Sequence, residues 1–311
     1  MIKYFKNNQL GKGIVPIEKW EKNSWIHIET PTSEDKRYMT KELGVPLSFL
    51  NDLDDIDERA RIDDEDDWYF IIIRVPYKEV AADLPYATAP LGLIFKEDVF
   101  ISVINVHTEV VDDFVLYSGR KNKIYNNYFD LVLRLILSSS VWFLKYLKQI
   151  DQLIKSAENQ LQRSIRNEEL QNLLELEKCL VYFTTSIRGN EILLNRIKNI
   201  KPSITLIDPE LLEDVEIEIK QAQELTGIFS DILSGMMDAY ASVISNNLNI
   251  VMKRLTSISI ILMIPTLIAS FFGMNLKNFI EEANWSFFAV VIFSLGMSIA
   301  FTFFLRKKNW F

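Results

Sequence analysis

Residues 255–272 read LTSISIILMIPTLIASFF, eighteen consecutive residues without a charge. A bilayer core of about 30 Å is crossed by a helix of roughly 20 mostly apolar residues. A second apolar run, residues 285–305, follows after a short polar segment, and a long polar chain precedes both. The two runs predict a membrane protein with two transmembrane helices and a large soluble part.

Polar and small residues recur within and ahead of the first span at steps of three and four, which places them on one face of a helix. We call this series the polar stripe. It indicates either a packing seam between membrane helices or a water-lined path, and a seam in a symmetric oligomer can surround a pore. Its members are Asp231, Gly235, Asp238, Ser242, Ser245, Asn249, Met252, Thr256, Ser259, Met263, Thr266, Ser270 and Gly273.

The charges that flank the spans predict their orientation. Lys253 and Arg254 precede the first span, and residues 306–308 after the second span are all basic. The connecting segment 275–284 carries one lysine against two glutamates. Because positive residues favour the cytoplasmic side, we expect both termini in the cytoplasm of a cell-membrane protein.

The soluble part divides into a mixed α/β region and a helical region. Short β-branched and aromatic runs predict strands at Trp25–Glu29, Trp68–Val75, Leu91–Phe95 and Val99–Val106. Helix starts are expected near Thr32 and Pro46. Apolar residues at helical spacing between Tyr125 and Ile200 predict an antiparallel helical hairpin.

A single long helix is expected next, because no strong helix breaker occurs between Pro209 and Pro265. Asp208 is its predicted cap, and continuation to Phe272 gives a stalk of roughly 95 Å at 1.5 Å per residue. The predicted fold class is an α+β cytoplasmic domain with a stalk helix and two transmembrane helices. Its segments are an α/β domain (1–124), a helical hairpin (125–207), a stalk (208–254), a first span (255–274), an external loop (275–284), a second span (285–305) and a basic tail (306–311).

Composition narrows the range of partners and compartments. The net charge of −8 argues against nucleic acid as a partner, and a lone cysteine, Cys179, fits a reducing cytosol. The acidic stretch 52–67 is interpreted as a solvated surface that collectively raises the local cation concentration.

Residues 273–275, Gly-Met-Asn directly after the first of two C-terminal spans, resemble the motif of the CorA magnesium channels. Lys253 before that span, Pro265 within it and the basic, aromatic tail 306–311 fit the same family, as does Trp25–Glu29, where His27 replaces a common Asp. The resemblance covers nearly the whole chain.

The resemblance implies a funnel-shaped homopentamer in membrane lipid that takes up Mg²⁺, with Co²⁺ and Ni²⁺ as substitutes. The first span would line the pore, and the second would face lipid. The implied selectivity filter is Gly273, Met274 and Asn275, and the pore-lining residues are Asp238, Asn249, Met252, Leu255, Met263 and Thr266. No carboxylate lies in either span, so we expect a passive channel driven by the membrane potential.

The resemblance also implies a second, regulatory role for Mg²⁺ in the cytoplasm. Bound between neighbouring subunits, the ion would hold the channel closed. Asp214 matches the stalk ligand, and the α/β domain would contribute Glu79 or Asp83.

Three other functions are alternatives to a magnesium channel. One is a zinc or other transition-metal transporter on the same scaffold, but the related zinc family usually carries a different middle residue in its Gly-x-Asn motif, so the resemblance at Met274 favours magnesium. A membrane-anchored interaction protein would carry no ion flux. An enzyme is not expected, because His27 and His107 are isolated and Cys179 lies in a leucine-rich helix without an evident base.

Overall fold

The computed structural model describes residues 1–8, 13–79, 85–163, 167–200, 206–274 and 285–308. The chain divides into two compact units, Met1–Met236 and Met237–Phe311. The strands are β1 (Ile2–Asn8), β2 (Gly13–Ile17), β3 (Ser24–Glu29), β4 (Arg61–Glu65), β5 (Trp68–Lys78), β6 (Tyr86–Lys96) and β7 (Val99–Ile104). The helices are α1 (Ser33–Lys41), α2 (Leu47–Asp52), α3 (Glu109–Lys121), α4 (Tyr128–Arg163), α5 (Asn167–Ile197), α6 (Pro209–Phe272) and α7 (Ser286–Lys307).

The first unit is built around one seven-stranded sheet in the order β2-β1-β3-β7-β6-β5-β4. Its strand pairs are antiparallel except β3 with β7. Ile26 and Ile28 face a cluster that includes Met39 of α1 and Phe49 of α2, whereas Trp25 contacts Phe114 of α3 on the other face. Helices therefore cover both faces, which explains the nearly continuous apolar runs of the central strands.

The end of α2 approaches the sheet closely at Gly92 of β6. A Cβ atom on Gly92 would lie 2.4 Å from Cδ1 of Leu53, a residue that is only 2% exposed. Glycine at this point of the strand therefore lets α2 pack directly on the sheet.

The four predicted strands and the helical hairpin are confirmed, with shifted ends. Strand β6, for example, begins at Tyr86, ahead of the predicted Leu91. Strands β1, β2 and β4 and helix α3 were not predicted. Polar residues interrupt β1, Pro16 interrupts β2, and β4 reads Arg-Ile-Asp-Asp-Glu. Two of these, β2 and β4, are edge strands, where proline and charge are tolerated.

The predicted helix starts are also confirmed. Thr32 caps α1 through a capping box, since Asp35 N–H donates to Thr32 Oγ1 (3.2 Å) and Thr32 N–H to Asp35 Oδ2 (2.8 Å). Glu210 N–H donates to Oδ1 of Asp208 (3.1 Å) at the start of α6. From there α6 continues for 64 residues with Pro265 inside it.

Strand β4 begins at Arg61, opposite Ile72 of β5, so β5 has no strand partner on this side beyond Ile72. Side chains complete that part of its edge. Asn190 of α5 accepts a hydrogen bond from Arg74 N–H and donates one to Arg74 O, both at 2.8 Å. Ser139 of α4 donates to the same carbonyl (3.0 Å), and Thr108 donates to Pro76 O (3.1 Å). The helices thus satisfy backbone groups that a longer β4 would have paired.

Arg74 is buried, with 7% of the residue exposed. Its guanidinium group has five hydrogen-bond acceptors, none of them a carboxylate. It donates to the carbonyls of Ile56 and Glu58 (2.6 and 3.0 Å), to O and Oγ1 of Thr88 (both 2.8 Å) and to Oγ of Ser186 (3.4 Å). Burial lowers the pKa of Arg74. The side chain joins the acidic segment to the sheet and to α5.

Candidate ion pathway and regulatory groove

The second unit contains the apolar part of α6 and all of α7. In the most apolar 18-residue stretch of each helix, only 6% is buried in α6 and 17% in α7. The core helix of a soluble protein would be mostly buried, so this exposure fits two membrane spans.

Burial within this unit is confined to one face of each span. On α6, Ser257 is buried and the isoleucines at 260, 261, 264 and 268 are half-buried. On α7, Ser294, Ser298 and Leu305 are buried. We interpret these as the faces on which the two spans pack.

The polar stripe lies on the other side of α6. Thr266 follows Ser257 by nine residues, about two and a half helical turns, which places it half a turn away. All members of the stripe are exposed, as is the predicted pore residue Leu255. The predicted pore residues Asp238, Asn249, Met252, Met263 and Thr266 therefore share a face that the described part of the chain leaves uncovered.

Hydroxyl groups on this face present lone pairs outward. Ser242, Ser259 and Thr266 each donate to the carbonyl oxygen four residues earlier, at 3.1, 2.9 and 3.0 Å. With its proton directed to the backbone, each hydroxyl oxygen is left as an acceptor. Such acceptors suit the water molecules of a hydrated cation.

The helix ends at the predicted selectivity filter. Gly273 N–H donates to Ala269 O (2.9 Å), and a Cβ on Gly273 would lie 3.2 Å from the same oxygen. Met274 is 50% exposed. Asn275, the third residue of the predicted filter, lies outside the described residues.

Asp214 lies in a groove of about 610 Å³ in the first unit, between α3, α4 and the start of α6. Its apolar walls include Phe114, Leu137 and Ile217. The charged lining residues are Asp113, Lys123, Arg134, Lys145, Asp214 and Glu218.

Of the predicted regulatory metal ligands, Asp214 and Glu79 do not share this groove within one chain. Glu79 follows β5, accepts a hydrogen bond from the Tyr77 hydroxyl (3.4 Å) and does not line the groove. Asp83 lies outside the described residues. Across the described ranges, no group of three or more His, Cys, Asp or Glu side chains is placed to hold a metal ion.

The acidic stretch is a partly neutralised surface. Arg61 pairs with Asp52 (2.6 Å), Asp63 (2.5 Å) and Glu58, and Lys36 pairs with Asp54 (2.5 Å). The other carboxylates between residues 52 and 67 are exposed, as the solvated-surface interpretation predicts.

His27 and Cys179 are buried structural residues. Trp25 Nε1 donates to Ser102 Oγ (2.7 Å), which lies 2.8 Å from His27 Nδ1. Burial, reinforced by the Lys3 charge, lowers the pKa of His27 to about 4, so the ring is neutral. Burial raises the pKa of Cys179 to about 11, which disfavours a reactive thiolate.

A sequence profile described as "CorA-like Mg2+ transporter protein" matches residues 20–307. The chain belongs to the CorA-like Mg²⁺ transporter family. Members of this family are ion transporters rather than enzymes.

Curated CorA relatives align over most of their length. The cobalt/magnesium transport protein CorA of Methanocaldococcus jannaschii is 25% identical over 92% of this chain and 90% of its own. The protein of the same name from Thermotoga maritima is 25% identical over 96% of this chain and 86% of its own.

The fold matches a solved CorA structure. The complete structure of the M. jannaschii CorA magnesium transporter superposes with a TM-score of 0.83 over 100% of this chain and 99% of that one, at 20% identity. The α+β domain, the long helix and the final apolar helix therefore form a CorA fold.

Arg74 and Asn190 are the structural residues that sequence reasoning missed. The lone arginine in the apolar run WYFIIIRVPYK could have predicted a buried polar network, because a charged residue among buried strand residues requires hydrogen-bond partners. Arg188-Gly189-Asn190 carried no such signal, since its role depends on the sheet edge opposite it.

Proposed function

We propose that this chain forms a channel for divalent cations, principally Mg²⁺ with Co²⁺ and Ni²⁺ as substitutes, driven by the membrane potential. The observation that carries the proposal is the polar stripe, an exposed face of α6 that leads to Gly273 and Met274. A divalent cation gains about 4.6 kcal/mol per 100 mV, twice the single-charge value, so uptake requires no coupled proton.

Two spans alone cannot enclose an aqueous path, so the pore requires several copies of the chain. The proposed assembly is a homopentamer, the number that the resemblance to the CorA channels implies. Steps along the polar stripe alternate between four and three residues, an average of about 3.5 that suits helices packed around a common axis. The α7 face that would meet lipid is apolar and exposed, as Phe287 (71%) and Ile292 (69%) illustrate. Both termini and the segments 1–124, 125–207 and 208–254 are assigned to the cytoplasm.

Asn275 completes the proposed filter with Gly273 and Met274. A ring of amide oxygens suits Mg²⁺, which loses water reluctantly and is bound through its hydration shell. Below it, Met252, Leu255 and Met263 would form apolar rings, and such constrictions can gate by dewetting.

Cytoplasmic Mg²⁺ is the proposed closing ligand, bound by Asp214 of one subunit and by Glu79 or Asp83 of its neighbour. Asp214 is exposed and forms no ion pair with a described residue. Facing carboxylates repel once the ion leaves, so Mg²⁺ would bind the closed state preferentially, as a ligand-driven switch requires.

Flux into liposomes tests the channel proposal. Purified protein is reconstituted with an internal magnesium dye under a negative-inside potential, and Asn275→Ala is compared with Asn247→Ala, which lies off the polar stripe. We expect flux that follows the potential, is lost in Asn275→Ala and persists in Asn247→Ala. Zn²⁺ flux under a pH gradient without Mg²⁺ entry would identify a transition-metal transporter. If no cation entered the liposomes, the membrane-anchored interaction protein would be the remaining function.

The regulatory proposal is tested in the same liposomes with Mg²⁺ preloaded inside. We expect Asp214→Ala to weaken the inhibition and Glu213→Ala, the adjacent exposed carboxylate, to leave it intact. Inhibition unaltered in Asp214→Ala would remove this site.

A further inference from the structure

The groove around Asp214 holds charged side chains that already have partners. Lys145 Nζ lies 2.6 Å from Asp113 Oδ2, which also accepts from Trp142 Nε1 (3.1 Å). Lys145 Nζ lies 4.0 Å from the centre of the Trp142 ring. Arg134 Nε lies 2.8 Å from Oδ1 of Asp130, which is buried. Both ion pairs lie within α3 and α4, although Arg134 Nε and Asp130 Oδ1 lack the geometry of a hydrogen bond.

Two carboxylates in the groove lack such partners. Asp214 and Glu218, one turn apart on α6, form no ion pair with any residue in the described ranges. Like charges at this spacing repel each other on a helix. Lys123, the remaining cation of the lining, is exposed on the segment between α3 and α4.

The sum of these charges is negative. The lining has three carboxylates and three cations, but Lys145 is paired with Asp113 and Arg134 with Asp130, which lies behind the lining. Asp214 and Glu218 then outnumber Lys123, and the exposed Glu210 and Glu213 precede the groove on α6. A cationic ligand is therefore favoured over an anionic one.

The walls of the groove suit the apolar part of an organic cation. Phe114, Leu137, Val141, Leu211 and Ile217 line it, and a volume of about 610 Å³ suits a small organic molecule.

We propose that this groove binds a linear polyamine. Side chains at positions i and i+4 are separated by about 5–6 Å between Cβ atoms, which matches two ammonium groups joined by a three- or four-carbon spacer. Asp214 and Glu218 would each take one ammonium group, and the methylenes would cover the apolar wall. Since Asp214 is also the proposed Mg²⁺ ligand, polyamine and regulatory Mg²⁺ would compete.

The test is calorimetric titration of spermidine into the full-length protein in detergent, at low salt and without divalent cations. We expect saturable binding that weakens about tenfold in Glu218→Gln and in Asp214→Asn, because each loses one charge-assisted hydrogen bond. Glu224→Gln, an exposed carboxylate of α6 outside the groove, should bind like the native chain. A diamine with a four-carbon spacer should bind more tightly than butylamine.

Absence of spermidine binding, or equal affinity in Glu218→Gln and the native chain, would overturn the proposal. Equal affinity of butylamine and the diamine would do the same, because it would show that the paired carboxylates are not used. The readout is independent of ion flux, and Glu218 has no part in the proposed pathway or Mg²⁺ site. A failure here is therefore distinguishable from failure of the channel proposal.

Discussion

Asn190 pairs with both backbone groups of Arg74, at 2.8 Å in each direction, and so takes the place of a strand beside β5. Both residues are buried, Asn190 being 1% exposed. A buried backbone N–H without an acceptor costs about 1–3 kcal/mol. This relationship ties the helical hairpin to the sheet through hydrogen bonds as well as apolar packing.

Asn190→Ala is therefore expected to destabilise the protein by about 2–3 kcal/mol, since Arg74 N–H loses its acceptor. Thermal unfolding of the detergent-solubilised protein should show a Tm lower by several degrees. Asn195→Ala, an exposed position on the same helix, is the control and should change little. Equal Tm values for the two variants would contradict this account.

Acidification should destabilise the first unit through His27. Its folded-state pKa of about 4 lies below the ordinary 6.5, so between these values the unfolded chain binds a proton that the folded chain excludes. The contribution of His27 to the free energy of unfolding is therefore fully present above pH 6.5 and is lost as the pH drops toward 4, by at most about 3 kcal/mol.

The measurement is Tm between pH 7.5 and 4.5 for the native chain, His27→Gln and His107→Gln. We expect Tm to fall less steeply with decreasing pH in His27→Gln than in the native chain. The His107 side chain is 68% exposed, so His107→Gln should retain the native slope. A native slope in His27→Gln would assign the acid sensitivity to other groups.

Cysteine accessibility should distinguish the two faces of α6. The native Cys179 is buried and its pKa is about 11, so its thiol stays protonated and unreactive at neutral pH. We expect Ser259→Cys and Thr266→Cys, on the polar stripe, to react with a water-soluble thiol reagent at least about tenfold faster than Ile264→Cys and Ile268→Cys. Equal rates on both faces would argue against a water-lined stripe.

Gly92→Ala should destabilise the sheet by about 1–3 kcal/mol, because the new methyl group overlaps the buried Leu53 side chain. Leu53→Val in the same chain should recover part of the loss by shortening that side chain. Gly119→Ala is the control, since its Cβ would meet Ile14 O at an ordinary 3.7 Å. If denaturant unfolding showed the same free energy of unfolding for Gly92→Ala and the native chain, α2 would have to shift freely to accommodate the methyl group.

The sequence predicted those elements whose pattern is local. The limits of α6 follow from Asp208 and Pro209 at one end and Gly273 at the other, and the central strands follow from uninterrupted apolar runs. Edge strands β2 and β4 escaped prediction because an edge tolerates Pro16 and consecutive acids. Their pairing depends on the neighbouring strand.

Of the candidate sites, the pathway along α6 was predictable from the sequence and the groove was not. Helical spacing alone places Asn249, Met252 and Thr266 on one face, and the structure leaves that face uncovered by described residues. The groove was not predictable, because Asp113, Arg134 and Asp214 come from three helices far apart in the chain. The assignment of Asp214 with Glu79 or Asp83 to a metal site stays a prediction.

The side chains that complete the edge of β5 also set an order of events during biosynthesis. Asn190 follows Arg74 by 116 residues. At about 5–20 residues per second, a ribosome needs on the order of ten seconds to supply it. Throughout that interval the edge of the nascent sheet at β5 has unpaired hydrogen-bonding groups. The two apolar spans have not yet been synthesised. Chaperone engagement should therefore be greatest between the synthesis of β5 and that of α5.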